Sequence, residues 1–469
     1  MARKKRVIEG VEAIDIGDKG KVIARTAEGE IVMVDEGCVP GDVIDFIYMR
    51  KKKGLKAGKV KRIVKESEWR VDPFCEHFGV CGGCKWQNLD YQKQIELKER
   101  SVINAIKRIA KDDESKVDSI LGCEQTERYR NKLEYTFSTK RWLTDEEIAS
   151  GEDFSSEGGA VGFHRAGVFD KVVPIDQCHL QNDLTNIIRN RIAEIAKTHD
   201  MSFYNIKGHE GFLRNVILRN TIAGEWMLTM IFGEHDEEKR NKLFDILIAE
   251  FPQVISWNYM INTKMNSSTL DLQSQNYAGV DHIKESLGDI TYRISPKSFF
   301  QTNSTQAKHL YDVAKEYAEL EGGEVLYDLY TGTGSIAIYM SSGCDRVVGI
   351  EEVPEAIADA KLNAQDNQIE NTTFLVGDVK EVLKPSFREE YGAPDVVVTD
   401  PPRAGMHPDV VETILELSPP KIVYISCNPS TQARDILLLK EKYELVKVKP
   451  VDMFPHTSHI ESVALLKKK

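Results

Sequence analysis

The run Val325 to Gly334, VLYDLYTGTG, decides the fold. β-forming residues carry the chain into two closely spaced glycines, and Ser335-Ile-Ala then opens a helix. Glycines in such a turn let the backbone come close to a ligand. A lone Gly-x-Gly says little, but the downstream sequence adds to it. RVVGIE (346–351) is a second strand, ending in an acid about 20 residues on, where an acid commonly grips ribose hydroxyls. FLVGD (374–378) ends a third strand in Asp378. DVVVTDPPR (395–403) and VYISCNP (423–429) are further β-forming runs, each stopped by proline. From about residue 291 strands alternate with helical segments, the pattern of a doubly wound α/β sheet. Chemistry in such sheets gathers at strand C-termini. A glycine turn, several carboxylates and the thiol of Cys427 are therefore expected along one edge.

The turn lacks the third glycine of the dinucleotide fingerprint. With no pyrophosphate to seat, a nucleoside ligand is favoured, and S-adenosylmethionine (SAM) suits an acid pair that reads ribose and adenine. The bland alternative, tight turns beside solvated acids, does not account for the coincident spacing.

Upstream of this domain the chain is long enough, at 469 residues, for two more. Residues 1–68 read as a small β-barrel of the OB type. Short alternating runs (7–13, 20–27, 30–34, 42–49 and 58–64) are separated by Gly-Asp, Glu-Gly and Pro-Gly turns. Residues 69–290 form a central α+β region with a cysteine-rich loop at 72–88. A helix is expected from Tyr91 to Ala110, with Ile95, Val102, Ile103, Ile106 and Ile109 near helical spacing. A second is expected to begin at His235 or Asp236, and the acidic, glycine-containing stretch 144–160 reads as a mobile loop.

A net charge of −12 would argue against a nucleic-acid partner if it were spread evenly, but it is not. Arg50 to Lys65, RKKKGLKAGKVKRIVK, holds no acid, and the start, ARKKR, is basic too. A basic stripe on an acidic protein fits a polyanion contacted by one face; a solvated lysine-rich strand pair is the competing explanation. No apolar run approaches the roughly 18 residues of a membrane span, and no signal-peptide core is present. A cytoplasmic protein with reduced cysteines is expected, so clustered cysteines point to metal or catalysis. Cys75-x5-Cys81-Gly-Gly-Cys84 offers three thiolates in ten residues. With a fourth ligand from elsewhere, the spacing suits a [4Fe–4S] cluster or a structural zinc ion. Cys38, Cys123 and Cys344 read as ordinary buried thiols.

DPPRAGMHP (400–408), SCNPSTQARD (426–435) and HIESVALL (459–466) resemble the three signature blocks of the RNA uracil-C5 methyltransferase family. The resemblance extends over almost the whole chain, because the N-terminal barrel is similar to that family's TRAM domain. It implies a C-terminal Rossmann-like SAM domain over 291–469. Cys427 is then the nucleophile and Glu461 the base that removes the C5 proton. Asp400 lies between SAM and uracil, and Arg403 orders the site. Gln301, Tyr330 and Glu351 match SAM-contacting positions, with Asp378 beside them. Cys178 matches a distant cluster ligand, and the family favours iron–sulfur over zinc, in a structural or RNA-positioning role. His456 and His459 are rival bases that the signature block ranks below Glu461.

The chemistry explains the set. Uracil C5 is too weak a nucleophile to take a methyl group unaided, and thiolate addition at C6 makes it electron-rich. Amino-group methyltransferases usually carry an aromatic residue where Arg403 stands, and RNA cytosine-C5 enzymes a cysteine where Pro402 stands. Family members with both barrel and cysteine cluster are mostly 23S ribosomal RNA enzymes, which makes ribosomal RNA the expected target. Transfer RNA, a cytosine acceptor and a non-catalytic RNA-binding iron–sulfur protein are the alternatives. Arg128, Tyr129, Arg130, Lys132 and Arg214 are candidate RNA contacts from composition. No protein partner is implied.

Overall fold

The computed structural model describes residues 6–17, 20–52, 54–153, 159–165, 167–383 and 385–469. Strict alternation builds the N-terminal barrel: Val11/Ala13, Val22/Ala24, Val32/Val34 and Ile44/Phe46 point inward in pairs two residues apart. Its strands are β1 (Val7–Ile16), β2 (Val22–Arg25), β3 (Ile31–Val34), β4 (Val43–Lys52) and β5 (Leu55–Lys65). They close in the order β1-β2-β3-β5-β4, with β3 and β5 parallel. Gly58 is required where β5 crosses β4, since a Cβ there would lie 1.9 Å from the Ile47 carbonyl oxygen. The basic stripe falls on these last two strands. Arg50 and Arg62 pair with Asp35 and Asp45, while Lys59, Lys61 and Lys65 are exposed without an ion pair among the described residues. Residues 2–5 of the basic start lie outside the described residues.

Helix α1 (Tyr91–Ala105) follows the cysteine loop and runs on as a π-helical turn to Ala110. Lys111, at φ 52°, ends it in the left-handed region. The central sheet comprises β6 (Lys132–Ser138), β7 (Ala160–His164), β8 (Val172–Pro174), β9 (Leu213–Asn220), β10 (Trp226–Phe232), β11 (Val254–Ile261) and β12 (Gln275–Gly279). Its order is β12-β11-β10-β9-β6-β7-β8. Within 144–160 the structure forms helix α2 (Asp145–Ser150) rather than a loop, because Thr144 and Glu147 make a reciprocal capping box. Residues 154–158 of that stretch lie outside the described residues. Helices α3 (Asp183–Thr198) and α4 (Glu237–Glu250) pack on the sheet through Ile188, Ile192, Leu243 and Phe244. Asp236 caps α4 through the Lys239 N–H.

The hairpin β13 (Ile283–Leu287) and β14 (Ile290–Ile294) packs into the C-terminal core, so the expected boundary at 290/291 falls within it. Beyond α5 (Ser304–Ala318) come β15 (Val325–Leu329), α6 (Ser335–Met340), β16 (Arg346–Glu351), α7 (Pro354–Asp366) and β17 (Thr372–Val376). Short helices α8 (Val379–Val382) and α9 (Pro385–Tyr391) lead to β18 (Val396–Thr399) and α10 (Pro408–Leu417). The chain finishes with β19 (Lys421–Ser426), α11 (Pro429–Leu439), β20 (Tyr443–Val451) and β21 (Glu461–Lys468). The sheet order is β17-β16-β15-β18-β19-β21-β20, with β21 antiparallel to both neighbours. This is a Rossmann-like sheet with an apolar core on each face; α1 contributes Val102 and Ala105 to one of them, and the π-helical turn after it Ile106. Among the described residues no helix is long and apolar enough to cross a membrane.

Candidate active site

A cavity of about 490 Å³ opens at the C-terminal ends of β15 to β18, and Gln301, Tyr330, Glu351, Asp378 and Asp400 line it. Buried Asp328 shapes the glycine turn by accepting the Thr331 hydroxyl at 2.6 Å and the Ala337 N–H at 3.1 Å. Tyr330, Gly332 and Gly334 all take positive φ, so the backbone doubles back beneath the cavity. A Cβ on Gly332 would meet nothing within 4 Å, whereas one on Gly334 would press on Ala360 and Phe374 at 3.0 Å. One glycine leaves room for a ligand and the other allows close packing. Glu351 accepts the Gly332 N–H at 3.2 Å and the Val353 N–H at 3.0 Å, which fixes it at the cavity wall. Asp378 caps α8 through the Lys380 N–H. The donor set, volume and glycine opening fit a nucleoside-bearing ligand such as SAM.

The second corner is set by strand register. Ser426 pairs with Ser462 across β19 and β21, so the next position brings Cys427 opposite Glu461. Gln432 holds this junction from α11, donating to the Tyr424 and Ser462 carbonyls and accepting the Ser462 hydroxyl. The loop with Asp400 and Arg403 is tied to the same helix. Asn428 donates to the Arg403 carbonyl at 3.1 Å, and Asp435 accepts the Met406 N–H at 2.9 Å.

Burial governs the electrostatics here. It pushes the Cys427 thiol up to about 11; Glu461 and Asp400 add to the rise, and Arg403 opposes it. Desolvation and the charge of Asp328 raise half-buried Asp400 to about 7. Glu461, 5% exposed, is raised well above the carboxylate range by burial and then by Asp400, with Arg403 opposing. Burial pushes both His456 and His459 down to about 4, which leaves them neutral and weak as bases. His459 instead lies 3.2 Å from the Arg403 guanidinium.

The candidate RNA contacts divide. Arg214 is buried, its guanidinium satisfied by the carbonyls of Asn262, Lys264 and Asn266 and stacked on Tyr204. It braces a loop and is not available to RNA. Tyr129 is buried too and donates to the Pro455 carbonyl. Exposed Arg128 pairs with Asp183. Arg130 and Lys132 remain, joined by Arg219, which sequence reasoning passed over although it closes the run FLRNVILR (212–219) that holds Arg214. Arg219 donates to the Ser298 carbonyl at 3.0 Å, and its other terminal nitrogen, buried, has no hydrogen-bond partner among the described residues. Burial, then Arg219, pushes Lys132 down to about 8, which marks concentrated positive charge. Phe299, 70% exposed, stands one residue from Ser298 at the cavity mouth.

Cys75, Cys81, Cys84 and Cys178 come together. Burial raises all four thiols, and each of Cys75, Cys81 and Cys84 is raised further by the charge of Cys178. Buried thiols that raise one another's pKa are relieved by a cation, so the donor set fits a thiolate-bound metal group. Cys38, Cys123 and Cys344 are buried, as expected of structural thiols.

A family model described as tRNA (Uracil-5-)-methyltransferase matches residues 175–469. A protein named RNA methyltransferase from Bacteroides thetaiotaomicron is 47% identical over 96% of this chain and 99% of its own length. One of the same name from Porphyromonas gingivalis is 45% identical over 97% and 99%. The crystal structure of Pyrococcus abyssi tRNA (uracil-54, C5)-methyltransferase with S-adenosyl-L-homocysteine is similar throughout. Its TM-score is 0.75 at 29% identity, covering 98% of this chain and 100% of that one.

Proposed function

Since the chain belongs to the tRNA (uracil-5-)-methyltransferase family, SAM-dependent enzymes acting on uracil C5 in RNA, we propose that it works through a covalent adduct of Cys427. The register that brings Cys427 opposite Glu461 carries this reading. Cys427 Sγ bonds to uracil C6, and the C5–C6 π electrons move toward the C4 oxygen. The thiol proton needs an acceptor, and Asp400, near 7 and facing the cavity, is placed to take it. Glu351, Asp378, Tyr330 and Gln301 would hold SAM, whose sulfonium would supply the electrophilic methyl group: C5 forms its bond to that carbon as the carbon–sulfur bond breaks and S-adenosylhomocysteine leaves. Glu461 then removes the C5 proton, the C5–H electrons rebuild the double bond, and the Cys427 sulfur leaves C6. Burial makes Glu461 a stronger base than a solvated carboxylate, which suits a carbon-bound proton.

The three loop cysteines, Cys75, Cys81 and Cys84, together with Cys178 would hold a [4Fe–4S] cluster. Three clustered cysteines with a distant fourth suit a [4Fe–4S] cluster or a structural zinc ion, and the family resemblance favours the cluster. Such a cluster would fix the loop, since methylation moves no electrons. Iron and acid-labile sulfide without stoichiometric zinc is the expected composition.

The RNA enters beside Arg130, Lys132, Arg219 and Phe299, where cations and an exposed ring suit a flipped nucleotide. A 23S ribosomal RNA target is favoured by the pairing of TRAM-like barrel and cysteine loop. A transfer RNA target is favoured by the likeness to the Pyrococcus enzyme. Mapping 5-methyluridine in both RNAs from a deletion strain separates them. The mechanism is tested with SAM and 5-fluorouridine RNA, because fluorine blocks the final proton removal. A denaturation-resistant adduct is expected with the wild type and none with Cys427→Ala; an undiminished adduct in the variant would overturn the reading.

A further inference from the structure

Glu461 stands at the end of a return, Asp452 to Ile460, that joins β20 to β21. One face of α1 grips this return. Tyr91, Gln94 and Lys98 follow at helical spacing and share that face. The Tyr91 hydroxyl donates to Asp452 Oδ2 at 3.0 Å and accepts the Cys123 N–H at 2.7 Å. Buried Lys98 donates to Asp452 Oδ1 at 2.6 Å and to the Phe454 carbonyl at 3.0 Å. Gln94, fully buried, accepts the His456 N–H at 2.9 Å through Oε1. Its Nε2 donates to the Trp86 and Leu89 carbonyls at 2.9 and 2.8 Å and lies 3.2 Å from His456 Nδ1.

The cysteine loop holds the same residue from the other side. The backbone N–H groups of Lys85 and Trp86 donate to the His456 carbonyl at 2.9 and 3.1 Å, and the Phe74 ring meets its imidazole edge-on at 5.1 Å. His456 has a φ of 64°, an unfavourable left-handed conformation for a non-glycine residue. It persists because its N–H, carbonyl and ring are each fixed.

An apolar stripe would dock α1 on the sheet as firmly, since buried polar and charged groups add little net stability. What the polar stripe supplies is direction. We propose that Gln94 is a positioning residue for the proton-abstraction step: by fixing His456 it sets the path of the return that delivers Glu461 opposite Cys427. The proposal rests on Glu461 as the base.

The test uses Gln94→Met, which keeps the side-chain volume and helix preference. The substrate is unmodified ribosomal and transfer RNA from a deletion strain. Turnover is expected to fall about 100-fold with SAM affinity unchanged within about twofold. The telling readout is a denaturation-resistant enzyme–RNA adduct whose target base already carries the new methyl group. A variant that merely loosens the fold loses turnover without stalling after methyl transfer. Glu461→Gln is run alongside. If it traps the adduct and Gln94→Met does not, the positioning role is overturned. If Glu461→Gln traps none, the base assignment fails and the proposal with it. Should Gln94→Met not fold, Tyr91→Phe removes only the hydroxyl that links Asp452 and the Cys123 N–H and is expected to trap adduct to a lesser degree; none would overturn the proposal.

Discussion

Glu351 and Asp378 on one side of the cavity, and Asp400 and Glu461 on the other, are four carboxylates at strand ends of one sheet in opposite conditions. The first two accept backbone N–H groups: Glu351 from Gly332 and Val353, Asp378 from Lys380. The second two accept no hydrogen bond among the described residues, and both are raised by burial and by nearby carboxylates. A carboxylate already bound by amides keeps its place, which suits holding a ligand. One left unsatisfied in a dry corner takes up protons readily, which suits catalysis. On the proposed mechanism the sheet thus carries a binding half and a reactive half, divided between β16–β17 and β18–β21.

Asp400→Asn is the hardest blow to the reactive half. Adduct formation with 5-fluorouridine RNA at pH 7 is expected to slow about 100-fold, since the thiol proton loses its acceptor. It should recover in part as pH rises, while SAM affinity changes much less. A variant whose main loss is SAM affinity would erase the division. Glu351→Gln strikes the other half. Losing a charged acceptor costs about 1.5–3 kcal/mol, so SAM affinity should fall roughly 10- to 100-fold in titration calorimetry, with kcat retained at saturating SAM.

The binding half was almost wholly legible in the sequence. A strand, a glycine turn and an acid about 20 residues on are local signals, and parallel register does the rest. The reactive half was legible only through the signature blocks, because Cys427 and Glu461 lie far apart in sequence and meet by antiparallel pairing. What holds Glu461 in place was not legible at all. Tyr91, Gln94 and Lys98 belong to a helix whose apolar positions gave it away, but its polar stripe faces residues more than 350 positions later. Arg214 shows the converse failure. A basic residue in a strand rich in apolar neighbours suggested RNA, yet three carbonyls of a distant loop had already claimed its guanidinium. The capping box at Thr144 was a local signal that the acidic composition masked.

Among the described residues Arg403 is the cation that lowers both Cys427 and Glu461, so its removal sharpens the contrast. In Arg403→Gln the thiol, already near 11, moves higher. Less thiolate is present at any pH below it, and adduct formation between pH 7 and 9 should slow severalfold. The rate should still climb with pH, its alkaline limb displaced upward. A profile that keeps its shape and position would show that Arg403 acts on RNA alone.

The smallest effect concerns stability. Glu461 has a folded-state pKa raised above its unfolded value, so it burdens the fold in a definite pH window. Below the unfolded pKa, about 4.3, both states are protonated and no penalty exists. As pH rises past that value the unfolded chain ionises while buried Glu461 stays neutral, and stability drains away until the folded group ionises too. Glu461→Gln removes the titration. The variant should melt with the wild type at pH 4 and about 1–2 °C above it at pH 8, in a protein that no longer completes turnover. The matching change in the binding half, Glu351→Gln, should give no such gain, because it disturbs a carboxylate that the Gly332 and Val353 N–H groups already use as acceptor. A gain in both, or in neither, would dissolve the distinction between carboxylates kept for holding and carboxylates kept for chemistry.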